Sequence, residues 1–193
     1  MLKSTLAAIA LSIGLSGMAA AETDATAAVI GPVVGEAAPS LAGTVEVTPS
    51  DAVVPADALG TVLVFVRSAD WCPFCKTQLE DLKTAAAPLE AEGWALQALS
   101  YDSPDLLEAF AADKELNYVL LSDEDSSEID AFALRNMDVL AGSRFDGIPH
   151  PAIVFIAGDG TVSAVLREEG YRDRPPVDLI LETVSLLNAA DAS

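Results

Sequence analysis

The chain has only two cysteines, Cys72 and Cys75, and they lie two residues apart in the sequence Cys-Pro-Phe-Cys. A pair with this spacing can close a small disulfide, supply half of a tetrahedral metal site, or act as a redox dithiol. A zinc site would need further cysteines or histidines, and the chain has one histidine, His150. A structural disulfide usually closes a longer loop, which constrains the unfolded chain more. The spacing therefore favours a redox dithiol over a structural disulfide or a metal site.

The residues on either side of the pair restrict the local fold. Residues 61–66, Thr-Val-Leu-Val-Phe-Val, are a β-branched apolar run that predicts a buried strand. Residues 74–87 carry apolar side chains at helical spacing and predict a helix. Pro73 suits the first helical position, where a backbone N–H is not needed. The pair is thus expected where a buried strand leads into a helix.

This placement predicts different roles for the two thiols. Cys72 is expected just before the helix, where unpaired N–H groups and the positive end of the helix dipole stabilise a thiolate. Cys75 falls inside the first turn and is expected to be more buried and less reactive. We therefore predict that Cys72 attacks and that Cys75 resolves the resulting mixed disulfide.

Residues 1–21 have the layout of a secretory signal peptide. Lys3 gives a positive charge, residues 6–17 form a short apolar stretch, and Ala19 and Ala21 supply small residues for cleavage. The stretch is short and glycine-interrupted for a membrane-spanning helix. We expect cleavage after Ala21, export to the bacterial periplasm, and no stable membrane insertion of the mature protein.

Beyond the cleavage point we predict a flexible lead-in over residues 22–34, followed by one domain over residues 35–190. Loss of Lys3 would leave nine Lys and Arg against thirty Asp and Glu, a formal charge of −21. Such acidity argues against binding to nucleic acid or to anionic membrane surfaces.

The order of predicted elements indicates an α/β fold. Further strands are expected at 94–100 and 118–121, and helices near 104–112, 127–134 and 176–188. Two apolar runs flanking Asp159-Gly160 predict a β-hairpin, because Asp-Gly accommodates the turn. This alternation predicts a central mixed β-sheet flanked by helices on both faces.

The motif and the element order together resemble the thioredoxin superfamily, in particular its redoxin branch, the alkyl hydroperoxide reductase/thiol-specific antioxidant (peroxiredoxin-like) family. Residues 64–75, Val-Phe-Val-Arg-Ser-Ala-Asp-Trp-Cys-Pro-Phe-Cys, resemble that branch's strand-to-helix segment. Residues 33–39 resemble its entry motif, and residues 99–102 and 121–123 match two later strand ends. Residues 150–160 resemble the hairpin that begins at the family's cis-proline. The resemblance implies a thioredoxin-like fold.

The resemblance also implies supporting residues around the dithiol. Pro151 would be the cis-proline facing Cys72 and would leave backbone able to pair with a substrate peptide, with Pro149 as the rival position. His150 either tunes the Cys72 thiolate and contacts substrate or is a solvent-facing loop residue. Trp71 is expected to pack over the motif rather than bind a ligand.

Two departures from the family pattern bear on activity. Thioredoxins that reduce proteins often carry a buried acid six residues before the first cysteine, where this chain has Val66. Peroxidases of the peroxiredoxin type carry a Thr or Ser three residues before the peroxidatic cysteine, where this chain has Ala69, although Ser68 is adjacent. Arg67 either adds positive charge near the site or extends from a strand end into solvent.

Three functions follow, in order of preference. The first is an exported thiol–disulfide oxidoreductase acting on protein thiols and disulfides. The second is a peroxiredoxin-like peroxidase with antioxidant activity, in which Cys72 is oxidised by a small peroxide to a sulfenic acid and Cys75 condenses with it. The third is a binding module with a static disulfide. Both enzymes need an upstream redox partner, and we expect no cofactor or metal. No function is assigned to the polar cluster at 171–174.

Overall fold

The computed structural model describes residues 30–170 and 172–192. The predicted signal peptide, 1–21, and most of the predicted lead-in lie outside the described residues. The end of that lead-in is held against the domain. The backbone N–H of Gly31 donates to the Ala133 carbonyl at 2.9 Å, and that of Gly35 donates to the Val162 carbonyl at 2.8 Å. Contacts with the domain therefore begin by Gly31.

The described residues form six strands and five α-helices. The strands are β1 Val45–Val47, β2 Gly60–Phe65, β3 Trp94–Ser100, β4 Val119–Ser122, β5 Ala152–Ala157 and β6 Val162–Leu166. The helices are α1 Pro73–Asp81, α2 Lys83–Ala91, α3 Pro104–Lys114, α4 Ser127–Ala131 and α5 Val177–Asp191.

All six strands belong to one sheet with the order β1-β4-β3-β2-β5-β6. Strands β2, β3 and β4 are parallel, whereas β1 pairs with β4, β5 with β2, and β6 with β5 in antiparallel fashion. The predicted mixed sheet is thus confirmed. Because β2 and β3 are parallel neighbours, the segments that follow Phe65 and Ser100 meet at one edge of the sheet.

Helices cover both faces of the sheet, as predicted, but unevenly. Alternate residues of β2 serve opposite cores, because side chains alternate along a strand: Val64 packs in one core and Phe65 in the other. Helices α1, α2, α3 and α5 contribute to the Val64 core, and α4 contributes Ile129 to the Phe65 core. Burial on both faces explains why residues 61–66 are apolar without alternation.

The single helix predicted over residues 74–87 is two helices that meet at Leu82. The Tyr118 hydroxyl donates to the Leu79 carbonyl at 2.6 Å, and the Asn117 amide donates to the Lys83 carbonyl at 3.3 Å. These side chains bind main-chain carbonyls on both sides of the junction. Pro88 lies inside α2, where the prediction ended the helix. The difference reflects tertiary contacts that local spacing does not report.

The predicted hairpin is confirmed. Its turn joins β5 to β6, and the N–H of Ala157 donates to the Thr161 carbonyl at 2.9 Å. Gly160 has a φ of 86°, a conformation that favours glycine. Among the described residues, no helix is both long enough and apolar enough to span a bilayer.

Candidate active site

The loop after β2 places the cysteine pair at the carboxyl edge of the sheet. Cys72 is the N-cap of α1, with an extended backbone, and Pro73 takes the first helical position. The Cys72 sulfur accepts a hydrogen bond from the Cys75 N–H at 3.3 Å. The sequence-based placement of Cys72 at a helix N-terminus is therefore confirmed, and a backbone donor already points at its sulfur.

Cys72 and Cys75 are joined in a disulfide, with their Cα atoms 5.2 Å apart. Both are buried, with exposed fractions of 1% for Cys72 and 0% for Cys75. The expected contrast between an accessible Cys72 and a buried Cys75 is absent in this oxidised form. Both cysteines belong to one apolar cluster, against which Trp71 packs. The roles of attacking and resolving thiol remain predictions about the reduced protein.

Arg174 contacts the dithiol, and sequence reasoning missed it. Its Nη2 lies 3.5 Å from the Cys75 sulfur, and its Nε donates to Gln78 Oε1 at 2.7 Å. Burial lowers the pKa of Arg174, and the charge of Arg67 lowers it further. Arg174 is 99 residues from Cys75 in sequence. No local spacing links the two, so the cluster at 171–174 offered no signal of this role.

Trp71 packs against the apolar cluster that contains both cysteines, and it brings a second arginine to the site. Its indole N–H donates to the Tyr101 hydroxyl at 2.9 Å, and its ring meets that of Phe145 edge-on at 4.6 Å between centroids. The Arg67 guanidinium lies 4.9 Å from the centroid of the Trp71 ring. Arg67 is therefore folded back over Trp71, which corrects the alternative of an arginine extended into solvent.

A buried carboxylate, Asp102, organises the loop that leads to Cys72. It accepts hydrogen bonds from the Ala69 N–H at 2.6 Å and from the hydroxyls of Ser68 at 2.8 Å and Ser100 at 2.9 Å. Burial raises the pKa of Asp102, and the bond from Ala69 opposes the rise. The Ser68 hydroxyl is itself buried and donates to Asp102. Ser68 is therefore a part of the loop scaffold rather than a substitute for the hydroxyl missing at Ala69.

The prediction that Pro151 is a cis-proline is wrong, and so is the alternative at Pro149. All peptide bonds among the described residues are trans. Before β5, the His150 N–H donates to the Leu134 carbonyl at 2.7 Å, and Pro149 forms an isolated antiparallel β-bridge with Arg135. Pro151 still precedes the sheet edge that carries the dithiol loop, because Ala152 pairs with Phe65.

His150 lines a separate cleft rather than the dithiol. The cleft has a volume of about 580 Å³, and its other lining residues are Ile30, Asp130, Ala133, Arg135, Met137 and Asp138. Burial lowers the pKa of His150, and the charge of Arg167 lowers it further. The structure therefore does not support the expectation that His150 tunes Cys72.

A second cleft, which we call the Arg174 cleft, lies beside the dithiol and has a volume of about 350 Å³. Apolar side chains and two arginines line this cleft. Its lining includes Phe74, Leu82, Arg172, Arg174, Pro176 and Ile180. Arg174 lines the cleft and also contacts the Cys75 sulfur.

Comparison with known proteins identifies relatives over most of this domain. The model of the AhpC/TSA family matches residues 34–165. The putative peroxiredoxin bcp of Haemophilus influenzae is 30% identical over 112 residues, which cover 58% of this chain and 72% of that protein. Peroxiredoxin Bcp of Escherichia coli is 32% identical over 104 residues, covering 54% of this chain and 66% of that protein.

Solved structures extend the likeness to the fold. Peroxiredoxin Q of Xanthomonas campestris superposes with a TM-score of 0.59 at 22% identity, over 69% of this chain and 82% of that one. Reduced 2-Cys peroxiredoxin of Plasmodium vivax gives a TM-score of 0.66 at 19% identity, over 82% and 83%. The predicted thioredoxin-like fold is confirmed. The chain belongs to the AhpC/TSA family and is a peroxiredoxin-like oxidoreductase.

Proposed function

We propose that the protein is a thiol peroxidase in which Cys72 is the peroxidatic cysteine and Cys75 the resolving cysteine. Sequence reasoning placed this function second, after a thiol–disulfide oxidoreductase. The relatives named as peroxiredoxins reverse that order, because they favour a peroxidase over a general oxidoreductase.

The observation that carries the proposal is the position of the Cys72 sulfur. It accepts a hydrogen bond from the Cys75 N–H at the start of α1. A helix N-terminus lowers the pKa of a thiol and so supplies the nucleophilic thiolate. The Cys72 thiolate attacks one peroxide oxygen and breaks the O–O bond. Cys72 becomes a sulfenic acid, and the other oxygen leaves as an alcohol or water after taking a proton.

The neighbouring cysteine completes the cycle. The Cys75 thiol attacks the Cys72 sulfenic acid, which forms the disulfide and releases water. The two sulfurs are bonded in the structure, which therefore describes the product of this step. A dithiol reductant, the proposed upstream redox partner, then returns both cysteines to thiols by exchange.

One specific observation keeps the thiol–disulfide oxidoreductase as a second candidate. Ala69 has no hydroxyl, and the neighbouring Ser68 hydroxyl is buried and bonded to Asp102. Ala69 therefore offers no hydroxyl to a peroxide, and the hydroxyl of Ser68 is already engaged by Asp102. An enzyme that exchanges disulfides with proteins would not need such a hydroxyl.

A paired assay separates these functions and the static-disulfide alternative. Reduced protein is supplied with hydrogen peroxide or an alkyl hydroperoxide, and peroxide loss is followed alongside reduction of a model protein disulfide. A peroxidase consumes peroxide much faster than it exchanges protein disulfides, and the Cys75→Ser variant yields a trappable sulfenic acid at Cys72. Rapid disulfide exchange without peroxide turnover would favour the oxidoreductase. Failure of both reactions would favour a static disulfide.

We further propose that the protein is exported to the periplasm after cleavage at Ala21. The layout of residues 1–21 supports this, and an oxidising compartment suits a disulfide-cycling enzyme. Mass spectrometry of the protein recovered from the periplasmic fraction is expected to show Glu22 as the first residue. A chain that retains Met1 and stays in the cytoplasm or membrane would refute export.

A further inference from the structure

We propose that Arg174 is a catalytic residue that holds Cys75 as a thiolate whenever the disulfide opens, and so directs a reductant to Cys72. The inference rests on the disulfide cycle proposed above and assigns its reductive half. It concerns which sulfur is attacked and which one leaves.

The geometry places the guanidinium on the Cys75 sulfur. Nη2 of Arg174 lies 3.5 Å from Cys75 Sγ, within hydrogen-bonding range for sulfur. Nε of the same side chain donates to Gln78 Oε1 at 2.7 Å, and its Nη1 donates to the Asp173 carbonyl at 2.7 Å. Gln78 lies one turn after Cys75 on α1, so it anchors the guanidinium on the helix face that carries the sulfur.

The two sulfurs therefore have separate stabilising groups. The Cys72 sulfur accepts a hydrogen bond from the Cys75 N–H at the helix N-terminus, whereas the Cys75 sulfur lies next to the positively charged guanidinium of Arg174. Both cysteines are buried, and burial alone would raise the pKa of either thiol; at Cys75 it would make a poor leaving group. A cation within about 4–6 Å acts in the opposite direction and lowers an acid's pKa by about 1–3 units.

The charge balance of the site favours the same outcome. Arg67 and Arg174 lie close enough for the charge of one to lower the pKa of the other, and Arg174 is partly desolvated. The carboxylate of Asp173 acts in the opposite direction on Arg174, and in the oxidised protein neither sulfur adds a negative charge. Opening the disulfide places a negative charge on Cys75, next to Arg174. The site is therefore electrostatically prepared for a Cys75 thiolate.

The reductive half then proceeds in two balanced steps. A thiolate of a dithiol reductant attacks Cys72 Sγ, the Cys72–Cys75 bond breaks, and its electron pair leaves on Cys75 as a thiolate held by Arg174. The second thiolate of the reductant attacks the mixed disulfide at the reductant's own sulfur. This forms the reductant's disulfide and releases the Cys72 thiolate. A lower pKa at the leaving sulfur speeds the first step.

The first test measures the pKa of Cys75 directly. In the Cys72→Ser background, ultraviolet thiolate absorbance is titrated with Arg174 intact, with Arg174→Gln, and with Arg172→Gln. Arg172 lines the same cleft and is the matched control. We expect Arg174→Gln to raise the Cys75 pKa by about one unit or more and Arg172→Gln to leave it nearly unchanged. No change with Arg174→Gln, or an equal change with Arg172→Gln, would overturn the proposal.

The second test measures the leaving group in the two-cysteine protein. The oxidised disulfide is reduced with a small dithiol under pseudo-first-order conditions. We expect Arg174→Gln to slow reduction several-fold and Arg174→Lys to recover part of the rate, because it restores the charge without the anchored geometry. If Arg174→Gln does not fold, Arg174→Met, which keeps much of the side-chain length without the charge, replaces it in both tests and is expected to raise the Cys75 pKa and slow reduction. A wild-type Cys75 pKa together with a wild-type reduction rate in the uncharged variant would refute the role.

Neither readout involves peroxide. If the protein proves not to be a peroxidase, both measurements can still be interpreted. If the Arg174 proposal fails, the proposal that Cys72 reduces peroxide is still open to its own test.

Discussion

The carboxylate of Asp102 accepts a hydrogen bond from the backbone N–H of Ala69 at 2.6 Å. A residue just after β3 thereby holds the loop that connects β2 to the N-cap cysteine. The direction in which Cys72 presents its sulfur depends on this loop. The bond between Asp102 and Ala69 is therefore a structural support for the reactive site, although Asp102 makes no hydrogen bond to the sulfur of Cys72 or Cys75.

Substitution of Asp102 with asparagine should weaken both stability and reactivity. The amide can replace only part of the acceptor capacity that serves Ser68, Ala69 and Ser100, and an unsatisfied buried donor costs about 1–3 kcal/mol. We expect a loss of this order in urea unfolding and a slower reaction of Cys72. Asp57→Asn, at an exposed loop carboxylate, is the control and should behave like wild type. Equal stability of the two variants would contradict the assignment.

The same residue makes a pH prediction. Burial raises the pKa of Asp102 above its ordinary value of 3.8, so the folded state holds the proton more tightly than the unfolded state. The resulting stabilisation is fully present below 3.8 and is lost as pH rises through the folded-state pKa. The unfolding free energy of wild type minus that of Asp102→Asn should therefore fall as pH rises from acid. A difference that rises with pH would show that the shift has the opposite sign.

His150 provides a second pH prediction with a simple readout, since it is the only histidine of the chain. Burial and the charge of Arg167 lower its pKa below the ordinary value of 6.5. Its contribution to stability is present above 6.5 and is lost as pH falls through the folded-state pKa. One imidazole resonance followed by NMR should titrate below 6.5. His150→Gln should remove this pH-dependent part of stability, and a titration above 6.5 would contradict the placement.

Tyr118→Phe should destabilise the fold without altering the dithiol. The change removes the bond from the buried Tyr118 hydroxyl to the Leu79 carbonyl and is expected to cost about 1 kcal/mol. Thermal or urea unfolding measures the loss, and the rate of disulfide reduction should match wild type. A changed reduction rate with unchanged stability would mean that the α1–α2 junction affects the dithiol rather than the fold.

The two single-cysteine variants, Cys75→Ala and Cys72→Ala, should differ in how much sulfenic acid they form with peroxide. Cys75→Ala lacks the resolving thiol, so peroxide treatment should leave a sulfenic acid at Cys72 that a specific trapping reagent labels. Cys72→Ala should show little labelling under the same conditions. Mass spectrometry of the labelled proteins locates the adduct. Stronger labelling of Cys75 in Cys72→Ala would reverse the assigned roles.

The sheet and the reactive motif could be predicted because their determinants are local. The strand at 94–100 has the predicted bounds, and the hairpin at Asp159-Gly160 follows from turn chemistry. Pro73 and the helical pattern after it correctly placed Cys72 at a helix N-terminus.

The errors arise where distant residues decide the outcome. The junction at Leu82 coincides with contacts from Asn117 and Tyr118, which no pattern in residues 74–87 reveals. The peptide bond before Pro151 is trans, and the neighbouring His150 pairs with the backbone of Leu134, a contact that the local sequence does not reveal. The local sequence indicates periodicity and turn preference, but it does not indicate which carbonyl or side chain from a distant part of the chain will contact a segment.

The contact between Arg174 and Cys75 bears on how redox properties diversify in this family. The AhpC/TSA match ends at residue 165, so Arg174 lies outside the segment by which the family is recognised. On the role proposed for Arg174, a substitution in the connection before α5 would change how readily the disulfide of this chain is reduced, while residues 72–75 stay unchanged.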